Sequence, residues 1–181
     1  KGDSSTMKLT TVLMIVAPHE IQTIAAPIMR RYALDTLIRV PAHLTVLYPF
    51  VACERLPEAC QILREVCAAI PPFDVTMSGY DQFPTAIYMK PVDPAPIQDV
   101  FRRVYARFPE CPPYGGQWGD ELQPHMTVAE FQSDYDMGAA LKSLPVYRPT
   151  RFHVDRLHVM AGIDHEPIPW LTHDIIPLAK A

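Results

Sequence analysis

Along this chain, apolar runs of strand length alternate with apolar stripes at helical spacing. Leu9–Ala17, rich in Val and Ile and ended by Pro18, reads as a buried strand. His19–Tyr32 sets Ile21, Ile24, Ala25, Ile28, Met29 and Tyr32 on one face of a helix, which Pro27 is expected to kink or divide. Val40-Pro41 leads into a strand over His43–Phe50. Pro57 suits the first turn of a helix whose apolar face is Leu56, Cys60, Leu63, Val66, Cys67 and Ile70, and Pro71-Pro72 closes it. Phe73–Tyr80 then reads as a strand with Phe73, Val75 and Met77 on one face.

The same order of elements returns in the second half. Thr85–Lys90 is a strand, Asp93 a helix N-cap, and Ile97, Val100, Phe101, Val104, Tyr105 and Phe108 the stripe of an amphipathic helix. A loop rich in Pro and Gly, Cys111–Gly119, precedes a strand beginning at His125. A short helix near Asp136–Leu144 and strands near Arg151–Met160 and Trp170–Leu178 complete the chain. Corresponding positions recur at similar intervals: 75 residues from Val12 to Ile87, 82 from His43 to His125, and 79 from Phe73 to Phe152. Identity between the halves is slight outside two short motifs, so the architecture is repeated rather than the sequence. The expected organisation is one domain over 7–181 with lobe one at 7–82 and lobe two at 83–181, exchange of strands between them being allowed. Lys1–Thr6 is set aside as a tag remnant or loose tail.

The two motifs are Pro-Ala-His-Leu-Thr-Val at 41–46 and Gln-Pro-His-Met-Thr-Val at 123–128. In a strand, side chains alternate faces, so His43 and Thr45 share one face while Leu44 and Val46 take the other. His125 and Thr127 stand in the same relation to Met126 and Val128. Two copies of imidazole and hydroxyl on one strand face suggest two half-sites of one cleft. Cleaving a phosphodiester needs one group to accept a proton and another to supply one, and histidine does both near neutral pH. A threonine two residues on can donate a hydrogen bond to a phosphoryl oxygen as charge develops there.

The pair of His-x-Thr-x motifs resembles those of the 2H phosphoesterase superfamily, in particular its 2′-5′ RNA ligase-like, cyclic phosphodiesterase branch. The Gly-containing stretch Tyr114–Gly119 before the second motif adds to the likeness, which covers nearly the whole chain from about Met7. The resemblance implies an α+β, two-lobed, pseudo-symmetric fold: mostly antiparallel sheets, helices packed outside, and a central cleft. It implies a metal-independent phosphodiesterase that hydrolyses 2′,3′-cyclic phosphates or 2′-5′ linkages of nucleotides or short RNA. Reversed, the same chemistry ligates a cyclic phosphate to a hydroxyl. His43 and His125 would be general acid and base, in unassigned order, with Thr45 and Thr127 holding the non-bridging oxygens.

Composition narrows the partners. The formal charge is −4, against the basic face that proteins gripping long nucleic acid carry, so a nucleotide or short RNA is expected and a long duplex is not. Apolar residues make up 49% and charged residues 20%, ordinary for a globular chain. Cys53, Cys60 and Cys67 are spaced by seven and Cys111 stands apart. Without Cys-x-x-Cys, they read as reduced cysteines of a cytoplasmic protein. The run Val12–Ala17 is too short to span a membrane. No metal and no cofactor is expected, since no His-Glu-x-x-His or Walker loop occurs, and the protein is expected to be a monomer.

Further candidates flank the motifs. Tyr114 and Trp118 are placed to stack on a base, or else to pack the loop. Arg39 is placed to neutralise a phosphate, or else is a solvated strand-end arginine. Strand parity assigns Tyr48 to the core and turns Glu130 away from His125. His19, His153, His158, His165 and His173 lack the motif context and read as surface or loop histidines. Two other classes stay open: a nucleotide- or RNA-binding module of the same fold with weak turnover, and a metal-dependent hydrolase.

Overall fold

The computed structural model describes residues 8–180, so the tail Lys1–Thr6 lies outside the described residues. The apolar run near the start forms β1 (Thr10–Val16), and the first helical stripe forms α1 (His19–Tyr32), which continues undivided through Pro27. A short helix α2 (Leu34–Arg39) follows, absent from the pattern because none of its residues is buried. The first motif strand is β2 (His43–Leu47), and α3 (Leu56–Cys67) has Pro57 in its first turn. Next come β3 (Phe73–Phe83), β4 (Ala86–Pro91) and α4 (Ala95–Arg107). The N-cap of α4 is Pro94, one residue later than expected, and the Asp93 carboxylate just before it accepts the Ala95 N–H at 3.0 Å. The second motif strand is β5 (Met126–Glu130), followed by α5 (Asp134–Ser143).

The single strand expected near Arg151–Met160 is two, β6 (Thr150–Val154) and β7 (Arg156–Gly162), and the last strand is β8 (Leu171–Pro177). Asp155 between β6 and β7 is the point where the chain leaves one sheet for the other. Two four-stranded sheets result, ordered β2-β1-β7-β8 and β5-β4-β3-β6, with every pairing antiparallel. Strands of the first sheet come from both ends of the sequence: β3 joins β4, β5 and β6, while β7 and β8 return to β1 and β2. The molecule is thus α+β, with two antiparallel sheets.

One apolar core lies under both sheets. Leu13, Ile15, Leu44 and Val46 enter it from the first sheet, and Ile87, Met89 and Val128 from the second. The helices seal it with Ile21, Ala25 and Met29 of α1, Leu63 of α3 and Phe101 of α4. A smaller apolar cluster occupies the opposite face of the first sheet, where Val12, Met14, Val40 and Met160 pack beneath Trp170. Trp170 lies so close to Gly162 that a Cβ there would meet its ring at 2.2 Å, so only glycine fits. No helix among the described residues is long and apolar enough to cross a membrane. All four cysteines are free thiols. Burial pushes the Cys60 and Cys67 thiols up to about 11, which keeps them protonated and unreactive.

Candidate active site

Each motif strand is the edge of its sheet, and the two edges lie beside one another. Alternation within each motif follows the pattern. Leu44, Val46, Met126 and Val128 are buried, while His43, Thr45, His125 and Thr127 are half-buried on the other face. Protein surrounds both rings on most sides and leaves part of each open.

The two imidazoles are anchored alike. His43 Nδ1 is 2.8 Å from the Pro41 carbonyl oxygen, and His125 Nδ1 is 2.7 Å from that of Gln123. A carbonyl only accepts, so each Nδ1 carries hydrogen and donates, which leaves Nε2 free for proton exchange. Burial draws both rings below the ordinary histidine pKa against the opposing pull of these carbonyls, and the nearby His125 lowers His43 further. The influence of His125 on His43 and the contact between β2 and β5 agree that the two rings are near one another.

Tyr114 joins the halves. Its ring lies over His125, centroids 6.3 Å apart and 30° from parallel, and 6.0 Å from the Tyr48 ring. Burial raises its phenol pKa, and the nearby Thr45 hydroxyl pulls the other way. Tyr114 therefore reaches from the second histidine to the first threonine. Its backbone is in the left-handed region at φ 52°, which costs a non-glycine residue about 1–2 kcal/mol. An N–H bond to the Tyr48 carbonyl at 2.6 Å helps hold it there. Gly115 and Gly116, at φ 67° and 78°, continue the turn at little cost. Trp118, by contrast, projects into solvent, 73% exposed, with no aromatic partner among the described residues.

A bulge lies at the end of each motif. Thr45 pairs with Met14 and Leu47 with Leu13, which leaves Val46 as the extra residue, so Val46 and Leu47 both face the core. Parity is reset, and Tyr48 lands on the face of His43 and Thr45, not in the main core as simple alternation predicts. Its phenol donates to the Asp164 carboxylate at 2.7 Å; burial first and this bond second push it far above the usual phenol range. The second strand repeats the device. Thr127 pairs with Tyr88 and Ala129 with Ile87, Val128 is extra, and Glu130 returns to the motif face. There its carboxylate accepts the Thr36 hydroxyl, and Thr36 accepts Arg39 at 3.1 Å. Arg39 stands at the end of α2, near enough to the Tyr48 phenol for its charge to be felt there.

Aromatic side chains surround His125. Phe83 meets its ring edge-on at 5.0 Å, Tyr88 lies 5.6 Å away, and these two rings are 4.4 Å apart. Tyr88 was legible as a motif-face residue, since Ala86, Tyr88 and Lys90 alternate with Ile87, Met89 and Pro91. Tyr48 and Glu130 were not, because a bulge belongs to a strand pair. Of the remaining histidines, His153 is exposed and bonds Asp74 at 2.8 Å, while His158 is half-buried on β7 with a buried, unpartnered Nδ1. Among the described residues no three His, Cys, Asp or Glu side chains converge as a metal site requires.

Comparison with known proteins places this arrangement. A crystal structure of a phosphoesterase superposes with a TM-score of 0.64 at 14% identity, covering 94% of this chain and 99% of that one. LigT of E. coli, solved with 3′-AMP, gives 0.64 at 14% identity, covering 96% and 99%. TT0787 of Thermus thermophilus gives 0.60 at 15% identity, covering 95% and 100%. At these identities the likeness is one of fold. No curated protein matches the chain. The sequence pattern of the 2′-5′ RNA ligase superfamily matches residues 16–166, which include both motifs, the cleft residues between them and Asp164. The chain belongs to the 2′-5′ RNA ligase superfamily, the 2H phosphoesterases.

Proposed function

We propose that this protein is a phosphodiesterase acting on a 2′,3′-cyclic phosphate or a 2′-5′ linkage of a nucleotide or short RNA, without a metal. The observation that carries this reading is the matched anchoring of the two imidazoles, with each Nδ1 committed to a carbonyl and each Nε2 without a partner among the described residues. One Nε2 takes a proton from the attacking water or hydroxyl, and the other gives one to the departing oxygen. Thr45 and Thr127 donate to the non-bridging oxygens, where negative charge grows. In the reverse direction the histidines exchange roles, so the same site would join a cyclic phosphate to a hydroxyl. Arg39 adds positive charge near Tyr48, and Tyr114 sets the distance between the halves. E. coli LigT has been solved with 3′-AMP, ATP and NADP+, and a nucleotide is the ligand class proposed for this chain.

Both rings start with lowered pKa values, so near neutral pH the free protein holds two neutral imidazoles. A phosphate anion between them favours the charged form and would restore the acid. The deciding experiment incubates the protein with 2′,3′-cyclic nucleotides and 2′-5′ oligoadenylates, with and without a chelator. Turnover that the chelator leaves unchanged is expected. Turnover abolished by chelator would refute the metal-free mechanism, and binding without turnover would make the protein a nucleotide-binding module.

A further inference from the structure

A second cavity, of about 440 Å³, opens away from the histidines, between α1 and the segment that follows α5. Ile24, Pro27 and Ile28 form its apolar floor, and the rings of Tyr32 and Tyr80 contribute flat walls. Leu144, Pro145 and Val146 form the opposite lip. Val146 is 92% exposed, an apolar side chain held in water at the edge of a hollow.

The charge around this cavity departs from the rest of the molecule. The protein is acidic overall, at −4, yet among the described residues no Asp or Glu lines the cavity, and Arg31 and Arg148 do. Elsewhere Arg55, Arg64, Arg102, Arg103, Arg107, Arg151 and Arg156 each have a carboxylate within 4.0 Å. Among the described residues Arg31 and Arg148, like Arg30 and Arg39, have none, and the Arg31 guanidinium lies 5.0 Å over the Tyr32 ring instead. Two unneutralised guanidinium groups flanking an apolar, aromatic hollow are complementary to a ligand with the opposite arrangement. The volume falls within the range of small-molecule sites and is too small for a folded partner.

We propose that this cavity is a second ligand site, distinct from the histidine cleft, for a small molecule with a flat apolar body and one anionic head. The body would lie on Pro27 and Ile28 between the two tyrosines, and the head would take charge-assisted hydrogen bonds from Arg31 and Arg148. The cavity's neighbours are held independently of any ligand, since the Tyr32 hydroxyl pairs with Ser143 Oγ at 3.0 Å and Tyr80 packs edge-on against Tyr147 at 5.5 Å.

The probe is 1-naphthyl phosphate, a monoester with no diester bond to cleave, titrated by calorimetry and by amide chemical shift into the wild-type protein. The expected result is saturable binding with shifts at Ile24, Tyr32, Tyr80 and Val146. Read from those four shifts, the same affinity is expected in His43→Ala, and an affinity weaker by about tenfold in Arg31→Gln/Arg148→Gln, whose exposed side chains stay polar. 1-Naphthol and inorganic phosphate, each lacking half of the recognition, should bind at least about tenfold more weakly than the ester. The proposal is overturned if no binding is seen, if the shifts map to the histidine site alone, or if the double variant binds this cavity as well as wild type. It is equally overturned if 1-naphthol binds as tightly as the ester, because the arginines then recognise nothing.

Discussion

His43 and His125 share their anchoring, each Nδ1 held by the carbonyl two residues earlier, but not their surroundings. Beside His43, the paired strand offers Val16 and Met14, and charge stands near the Tyr48 phenol as Arg39. Around His125 stand the rings of Phe83, Tyr88 and Tyr114. The same division appears at the position five residues past each histidine. Tyr48 meets a carboxylate, and Glu130 meets a threonine hydroxyl and, through it, an arginine. Matched anchoring is what two exchangeable proton-transfer groups require. Unmatched surroundings are what a substrate with a charged centre and one flat end requires, so on the proposed mechanism the halves would be equivalent toward the proton and different toward the ligand.

The largest expected effect tests the equivalence. His43→Ala and His125→Ala should each lower turnover by roughly 10²–10⁴-fold, and the double variant should lose less than the product of the two. Near-full activity in either single variant would end the two-histidine mechanism. The threonines come next. Thr45→Val and Thr127→Val should cost roughly 10²–10³-fold in kcat with the fold intact by circular dichroism, because valine suits a strand. Since Thr45 also meets the Tyr114 phenol, Tyr114→Phe should reproduce part of the Thr45 loss and none of the Thr127 loss, as a double-mutant cycle would read out.

The difference between the halves is sharpened by the aromatic cage. Phe83→Ala should raise KM for a nucleotide substrate by roughly tenfold, the worth of a lost stacking surface, with a smaller change in kcat. An unchanged KM would place the base elsewhere. The smallest effect expected is on stability against pH. Both histidines have folded-state pKa values below the unfolded value of about 6.5. Below that pH the unfolded chain binds more protons than the folded one, so stability is full above about pH 6.5 and declines as pH falls toward the lowered values. Thermal melts at about pH 7.5 and about pH 5 should show this decline, and it should shrink in His43→Ala. Bound phosphate should shrink it as well, because an anion between the rings pulls their pKa values back up.

Much of this was legible in the residues. Alternation within the two motifs set His43 and Thr45, and likewise His125 and Thr127, on one face, because strand parity is a property of the chain itself. The apolar stripes placed α1, α3 and α4 closely, since each buries one face in a common core. The helix α2 left no such trace because it buries nothing, although it carries Arg39 and Thr36 to the cleft.

The residues by themselves determined the periodic elements, the paired His-x-Thr motifs and the acidic balance that disfavours long nucleic acid. Only the tertiary structure decided which strands share a sheet, that Asp155 breaks one apolar stretch into strands of different sheets, and that Tyr48 and Glu130 face the cleft. The reason is physical. Periodicity is written in residues a few positions apart, whereas pairing and bulges depend on partners brought from distant parts of the chain by a core that forms as a whole.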